Sequence, residues 1–205
     1  MRQQIVQGGN GYTIGPATGL LTGVAAGSAT AGHIFAARWA PAAGKPTLAI
    51  LTRLRIKWVT IAGFTAAQEV GLDLSRLTGY TAAHTGGTAL VATGLGKDRT
   101  FHANGVPFPD SAFNDIRIGT TGALTAGTHT FDPTPFRQDG YSELAAAATV
   151  AKGSFQLFYS NEDLNAEPII LAANEGIVAR NTIAMGAGGT ARVTVEMSWV
   201  ELFNH

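Results

Sequence analysis

Apolar and polar residues alternate most clearly between Arg53 and Thr60, with Leu54, Ile56 and Trp58 on one side and Arg53, Arg55 and Lys57 on the other. A period of two suits a half-buried strand and cannot keep one face of a helix apolar. After Ala62-Gly63-Phe64 the alternation resumes, with Val70, Leu72 and Leu74 opposed to Glu69, Gly71 and Asp73. Together the two segments predict an antiparallel hairpin of residues 53–61 with 65–75. Lys57 would then face Glu69 and Arg53 would face Asp73, each cross-strand pair adding about 0.2–1 kcal/mol. The longest alternation closes the chain, with Ala191, Val193, Val195, Met197 and Trp199 on one side and Arg192, Thr194, Glu196 and Ser198 on the other. Met197 and Trp199 are therefore expected in the core. Gly186-Ala187-Gly188-Gly189 is expected to be the hairpin turn that leads into this strand.

Shorter strands are predicted at 34–39, 115–118, 127–131, 155–159, 168–172 and 176–183, each bounded by glycine, proline or polar residues. Glycine and proline punctuate residues 79–112 so densely that only short strands or loops fit there. Ser142–Ala148 is the one stretch of high helix propensity, expected to give a turn or two of helix in a connection. Many short strands without strand–helix repetition imply an all-β fold, a jelly-roll-like antiparallel β-sandwich. Residues 33–205 are assigned to that sandwich and residues 1–32 to an extended N-terminal arm. In the arm, Ile5, Val6, Ile14, Leu20, Leu21 and Val24 are scattered among glycines. Ordering it costs roughly 1–2 kcal/mol per residue in backbone entropy. The arm is thus expected to stay mobile until a neighbouring subunit or a particle surface receives it, with Leu20, Leu21 and Val24 as its interaction residues. A plain disordered terminus is the other reading.

Composition narrows the partners. Of 205 residues 45% are hydrophobic, enough for a sizeable core, while only 14% are charged and 26 are glycine. An average soluble protein has roughly 25% charged residues, so this surface suits close contact with other proteins. Lysine plus arginine and aspartate plus glutamate both number 14, giving no net charge. Nothing then draws the chain to phosphates, and no nucleic-acid partner is expected. Cysteine is absent, which excludes disulfides and thiolate chemistry. Met1-Arg2-Gln3-Gln4-Ile5 lacks the apolar core of a signal peptide. No apolar run nears the roughly 20 residues of a membrane helix. Cytoplasmic synthesis and no membrane partner follow as expectations.

Local motifs offer little chemistry. His33, His84, His102, His129 and His205 form no HxH or HExxH pair. A metal site would need ligands converging from distant strands, as His102 and His129 could, and surface or turn histidines are the simpler expectation. Glu162-Asp163 and Asp110/Asp115 lack the alternating oxygens of a calcium loop. The glycine clusters lack the lysine and following helix of a phosphate loop. Arg53, Arg55 and Lys57 form a basic stripe that Glu69 and Asp73 are expected to neutralise. The expectation is therefore no catalytic residues, no metal, no cofactor and no enzymatic activity.

One wider pattern remains. The segments 32–39, 54–58, 64–74, 84–90, 115–128, 173–180 and 195–201 together resemble a family of tailed-phage and prophage virion-associated proteins. The resemblance runs over most of residues 17–201 and carries no catalytic residues. It implies a β-sandwich subunit of a phage particle, a head decoration or cement protein that stabilises the capsid by protein contacts. Localisation in the virion and a homo-oligomer, a trimer by analogy with other jelly-roll particle proteins, come with it. A receptor- or carbohydrate-binding tail or fibre module is the alternative, and it would need an exposed aromatic platform drawn from Trp39, Tyr80, Tyr141 and Tyr159.

Overall fold

A computed structural model describes residues 10–44, 46–90, 96–97, 109–113, 115–145, 153–161 and 168–202. Within them two antiparallel sheets pack face to face as a β-sandwich. The first sheet runs in the order β10 (Ser154–Ser160), β3 (Leu48–Ala62), β13 (Thr190–Leu202), β1 (Asn10–Ile14) and β6 (Gly96–Lys97), and β11 (Ile169–Leu171) continues the β10 edge along β3. The second runs β5 (Thr88–Leu90), β7 (Asp115–Ile118), β2 (His33–Trp39), β12 (Glu175–Asn181), β4 (Gln68–Ala82) and β8 (Thr128–Phe131), and β9 (Arg137–Glu143) also pairs with β4.

The core lies where the period-two pattern places it. Leu54, Ile56 and Trp58 of β3 meet Val193, Val195, Met197 and Trp199 of β13, and all are buried. Opposite them stand Phe35, Trp39, Leu72, Leu74 and Ile177 of the second sheet. A smaller apolar cluster, Ala36, Leu77, Tyr80, Leu124 and Val178 with Phe131, lies on the outward side of the second sheet. Alternation along β2 and β12 explains it, since Phe35, Ala37, Ile177 and Ala179 point inward and their neighbours must point out.

The expected hairpin does not form. β3 pairs with β13 on one side and with β10 and β11 on the other, while β4 belongs to the opposite sheet and pairs with β12, β8 and β9. Alternation tells which side of a strand is apolar, not which strand lies beside it. Two consecutive strands can bury their apolar sides equally well from opposite sheets, and here they do. Residues 63–67 make the crossing, with Phe64 fully buried between the sheets. The 182–189 connection from β12 to β13 crosses at the same end, so Gly186–Gly189 is not a hairpin turn either. Thr65 N–H donates to the Ala187 carbonyl at 2.9 Å, and Gly186 N–H donates to Gln68 Oε1 at 2.7 Å. A β-carbon at Gly189 would sit 2.0 Å from the Phe64 ring, so only glycine lets the two crossings lie together.

The charge pairs move with the strands. Arg53, expected opposite Asp73, reaches Glu196 of β13, as does Arg55. Lys57 and Glu69 lie in different sheets, opposite Thr194 and Ser142. Asp73 instead receives a two-pronged contact from Arg180 of β12, at 2.9 and 2.7 Å. Ser142 and Glu143, expected to open a helix, end β9, and residues 146–148 lie outside the described residues.

The N-terminal segment is extended, but what receives it is its own sandwich. β1 pairs with β13 from Asn10↔Glu201 to Ile14↔Met197. The chain then follows β13 further, with Leu21 N–H on the Ala191 carbonyl at 2.8 Å and Val195 N–H on the Pro16 carbonyl at 2.9 Å. It next crosses to the second sheet, where Thr22 N–H meets the Thr121 carbonyl and Met185 N–H meets the Val24 carbonyl. Tyr12, Leu21 and Val24 are buried in the core, while Leu20 is 43% exposed. Ile5 and Val6 lie outside the described residues.

Candidate functional site

The outward side of the second sheet gathers three histidines that are far apart in sequence. A β-bulge starts the arrangement. Along β2, Phe35 opposes Ala179 but the next partner of β12, Arg180, opposes His33, which leaves Ile34 as an extra residue. Ile34 and Phe35 both face the main core as a result. His33 is thereby turned outward, toward Phe131 and the other histidines. His84 comes from the connection between β4 and β5, and His129 from β8. One ligand atom from each of the three lies within 4.8 Å of the others.

The hydrogen bonds fix the tautomers. His33 Nε2 faces the Ser28 carbonyl at 2.9 Å, which can only accept, so Nε2 carries the proton of a neutral His33. His33 Nδ1 must then accept, and it does so from His84 Nε2 at 2.6 Å. His84 Nδ1 is left to accept from the Tyr80 hydroxyl. Burial keeps this chain neutral. It lowers His33 below its ordinary value and pushes His84 down to about 3, with the neighbouring histidines adding to the effect on His84. Burial likewise holds the Tyr80 phenol above its usual range.

His129 differs. Burial lowers it too, and its ring stacks on His84 with centroids 5.2 Å apart. Both of its ring nitrogens are buried, and neither completes a hydrogen bond of ordinary geometry, although the Gly127 backbone lies close enough to favour the charged form. Phe131 and Tyr80 wall the cluster, with ring centroids 4.9 and 5.5 Å from that of His129. The Arg180 guanidinium lies over Phe131 at 4.3 Å, its charge matched by Asp73.

The other sequence candidates take structural places. Asp115 pairs with Arg38 at 2.9 Å and Asp110 with Lys97 at 2.8 Å, so these two carboxylates serve different cations. Trp39, Tyr80 and Tyr159 are buried and so cannot form an exposed aromatic platform. Tyr141 is half-buried, bonds to Thr60 and Glu143, and stands alone of the four on a groove along β4 and β9. The groove, of about 520 Å³, is lined mainly by Glu69, Gly71, Asp139, Gly140, Ser142 and Thr182. Among the described residues no histidine lines it. His102, His205 and Glu162-Asp163 lie outside the described residues.

Sequence reasoning placed His129 in a possible convergence, but with His102 as its partner. The actual partners, His33 and His84, carry no spacing signal, because a bulge and a loop bring them in. No family model and no curated protein matches the chain.

Proposed function

We propose that this chain is a structural subunit of a tailed-phage particle, a decoration protein that binds the capsid through one face of its sandwich. The supporting observation is a band of apolar side chains on the outward side of the first sheet. Leu48 pairs with Leu202, and Ile50 lies between Ile170 and Val200. Ala49 and Leu51 point into the core, so Leu48 and Ile50 face the other way. Gly11 lies opposite Val200 and adds no side chain to cover the row. Ile170 is 40% exposed, as is Phe158 on the adjoining edge strand. Ile50 itself is only 5% exposed, and Leu48, Val200 and Leu202 are half-buried. Ile170 and Phe158 therefore supply the exposed apolar area here, and exposed large apolar side chains on a sheet face mark a contact surface. The charge-poor composition and the resemblance to virion proteins agree with this reading, and both fit association of copies into a trimer.

Purified particles from the source of the chain provide the test. Electron microscopy should locate the subunit on the head, and Ile170→Asp with Val200→Lys should weaken attachment at least tenfold without lowering the melting temperature. Particles that lack the chain, or that hold the variant as tightly as the wild type, would overturn the reading. Sedimentation of the free protein should show the trimer.

A further inference from the structure

We propose that His33, His84 and His129 form a binding site for one divalent first-row transition metal ion of the zinc type, which fastens three separate segments on the outward side of the second sheet. The ligands would be His33 Nδ1, His84 Nε2 and one ring nitrogen of His129, in a cluster where one ligand atom of each histidine lies within 4.8 Å of the others. Tetrahedral zinc with bonds of about 2.0–2.1 Å places its nitrogen ligands about 3.3 Å apart. The 2.6 Å contact between His33 and His84 opens by roughly 0.7 Å, and the widest separation closes by at most about 1.5 Å, to reach that geometry.

Three observations point to a metal. First, both nitrogens of His129 are buried without a hydrogen bond of ordinary geometry, a costly arrangement that ligation would relieve. Second, the two other rings already have the outer partners that metal-bound imidazoles require. His33 Nε2–H is held by the Ser28 carbonyl, leaving the Nδ1 lone pair aimed at the cluster. For His84, the proton on Nε2 moves to Nδ1, where the Tyr80 oxygen accepts it, and Nε2 is freed for the ion. No net proton is released in that exchange. Third, burial already holds all three rings in the neutral, ligating form. An all-imidazole set without a carboxylate favours zinc, cobalt, nickel or copper over calcium or magnesium.

The ligands come from the start of β2, the β4–β5 connection and the edge strand β8. The ion would therefore pin an edge strand and a loop to the interior of the sheet, a stabilising clip independent of the apolar face on the first sheet.

Full-length protein treated with chelator and dialysed should be titrated with zinc chloride by calorimetry, and with cobalt chloride by visible absorption. One equivalent of zinc should bind at micromolar concentration or tighter, and cobalt should give the intense visible bands of a tetrahedral site. Zinc should raise the melting temperature by several degrees. His129→Ala removes no ordinary hydrogen bond, so it should fold, yet lose at least tenfold in zinc affinity and the cobalt bands. His102→Ala with His205→Ala should keep both. The proposal is overturned if the wild type takes up no zinc, if cobalt gives only the pale octahedral spectrum, or if His129→Ala binds as the wild type does. Loss of binding in the His102/His205 variant would equally place the ion elsewhere.

Discussion

Glu201 shows how one inward-facing polar residue is accommodated. It lies 1% exposed at the end of β13, and its carboxylate accepts from Ser111 Oγ, from Trp199 Nε1 at 3.0 Å and from Ala112 N–H at 3.0 Å. The same Trp199 ring stacks on Tyr12, with centroids 5.6 Å apart. Burial raises the Glu201 pKa above its ordinary 4.5, and the donated hydrogen bonds only partly offset it. The folded carboxyl thus keeps its proton to higher pH than the unfolded one. Its contribution to stability is fully present below pH 4.5 and is lost as pH rises through the raised folded value. Glu201→Gln has no such titration. Urea unfolding from pH 4 to neutrality should show the wild type losing stability relative to the variant, by at most about 1.4 kcal/mol per pH unit. Parallel profiles would mean that the carboxyl is not perturbed.

Between elements, the contact that decides most is the one joining β4 to β12. Asp73 and Arg180 side chains are 10% and 17% exposed, and Arg180 also reaches Ser75. Removing one partner leaves a largely buried charge without its counter-ion. Asp73→Ala should therefore cost about 3–5 kcal/mol in chemical denaturation. A loss under about 1 kcal/mol would place the pair with ordinary surface ion pairs. Arg53 and Arg55 with Glu196 are such a surface group, each side chain at least 36% exposed, and their removal should change stability little. The β2 bulge acts at this scale too, because one extra residue exchanges the face on which His33 appears.

At the scale of the whole molecule, the N-terminal segment ties the two sheets together. It forms β1 beside β13, then continues past the second sheet before entering β2. Deleting residues 1–28 removes β1 together with buried Tyr12, Leu21 and Val24. The truncated chain should lose its cooperative thermal transition, followed by near-ultraviolet circular dichroism. Leu21→Ala alone should cost about 2–5 kcal/mol. A truncated chain that melts within a few degrees of the full length would mean that the segment is separable after all.

Sequence alone marked β2, β3, β4, β7, β8, β10, β11, β12 and β13 as strands and gave the apolar side of the longest of them. It did not mark β1, which read as part of a mobile arm, or β9, whose end read as the start of a helix. The alternations at Leu54–Trp58, Val70–Leu74 and Ala191–Trp199 are properties of single strands. Burial follows them along Leu54–Trp58 and Ala191–Trp199, whereas Val70–Leu74 is buried on both sides, Gly71 and Asp73 included. Strand pairing was decided only by the tertiary structure, because backbone hydrogen bonds are the same for any neighbour and the choice between one sheet and two depends on how the whole core closes. Hence β3 and β4 part company across Phe64, and Arg53 and Asp73 find partners in β13 and β12. The sparse apolar residues of the N-terminal segment read as too few to fold alone, yet in the structure they are docked on β13 and the second sheet. The acceptor that orders them is a groove built by residues much later in the chain. The histidine cluster was illegible for the same reason. Its three members share no spacing, and they meet because a single extra residue in β2 turns His33 to the side where His84 and His129 already lie.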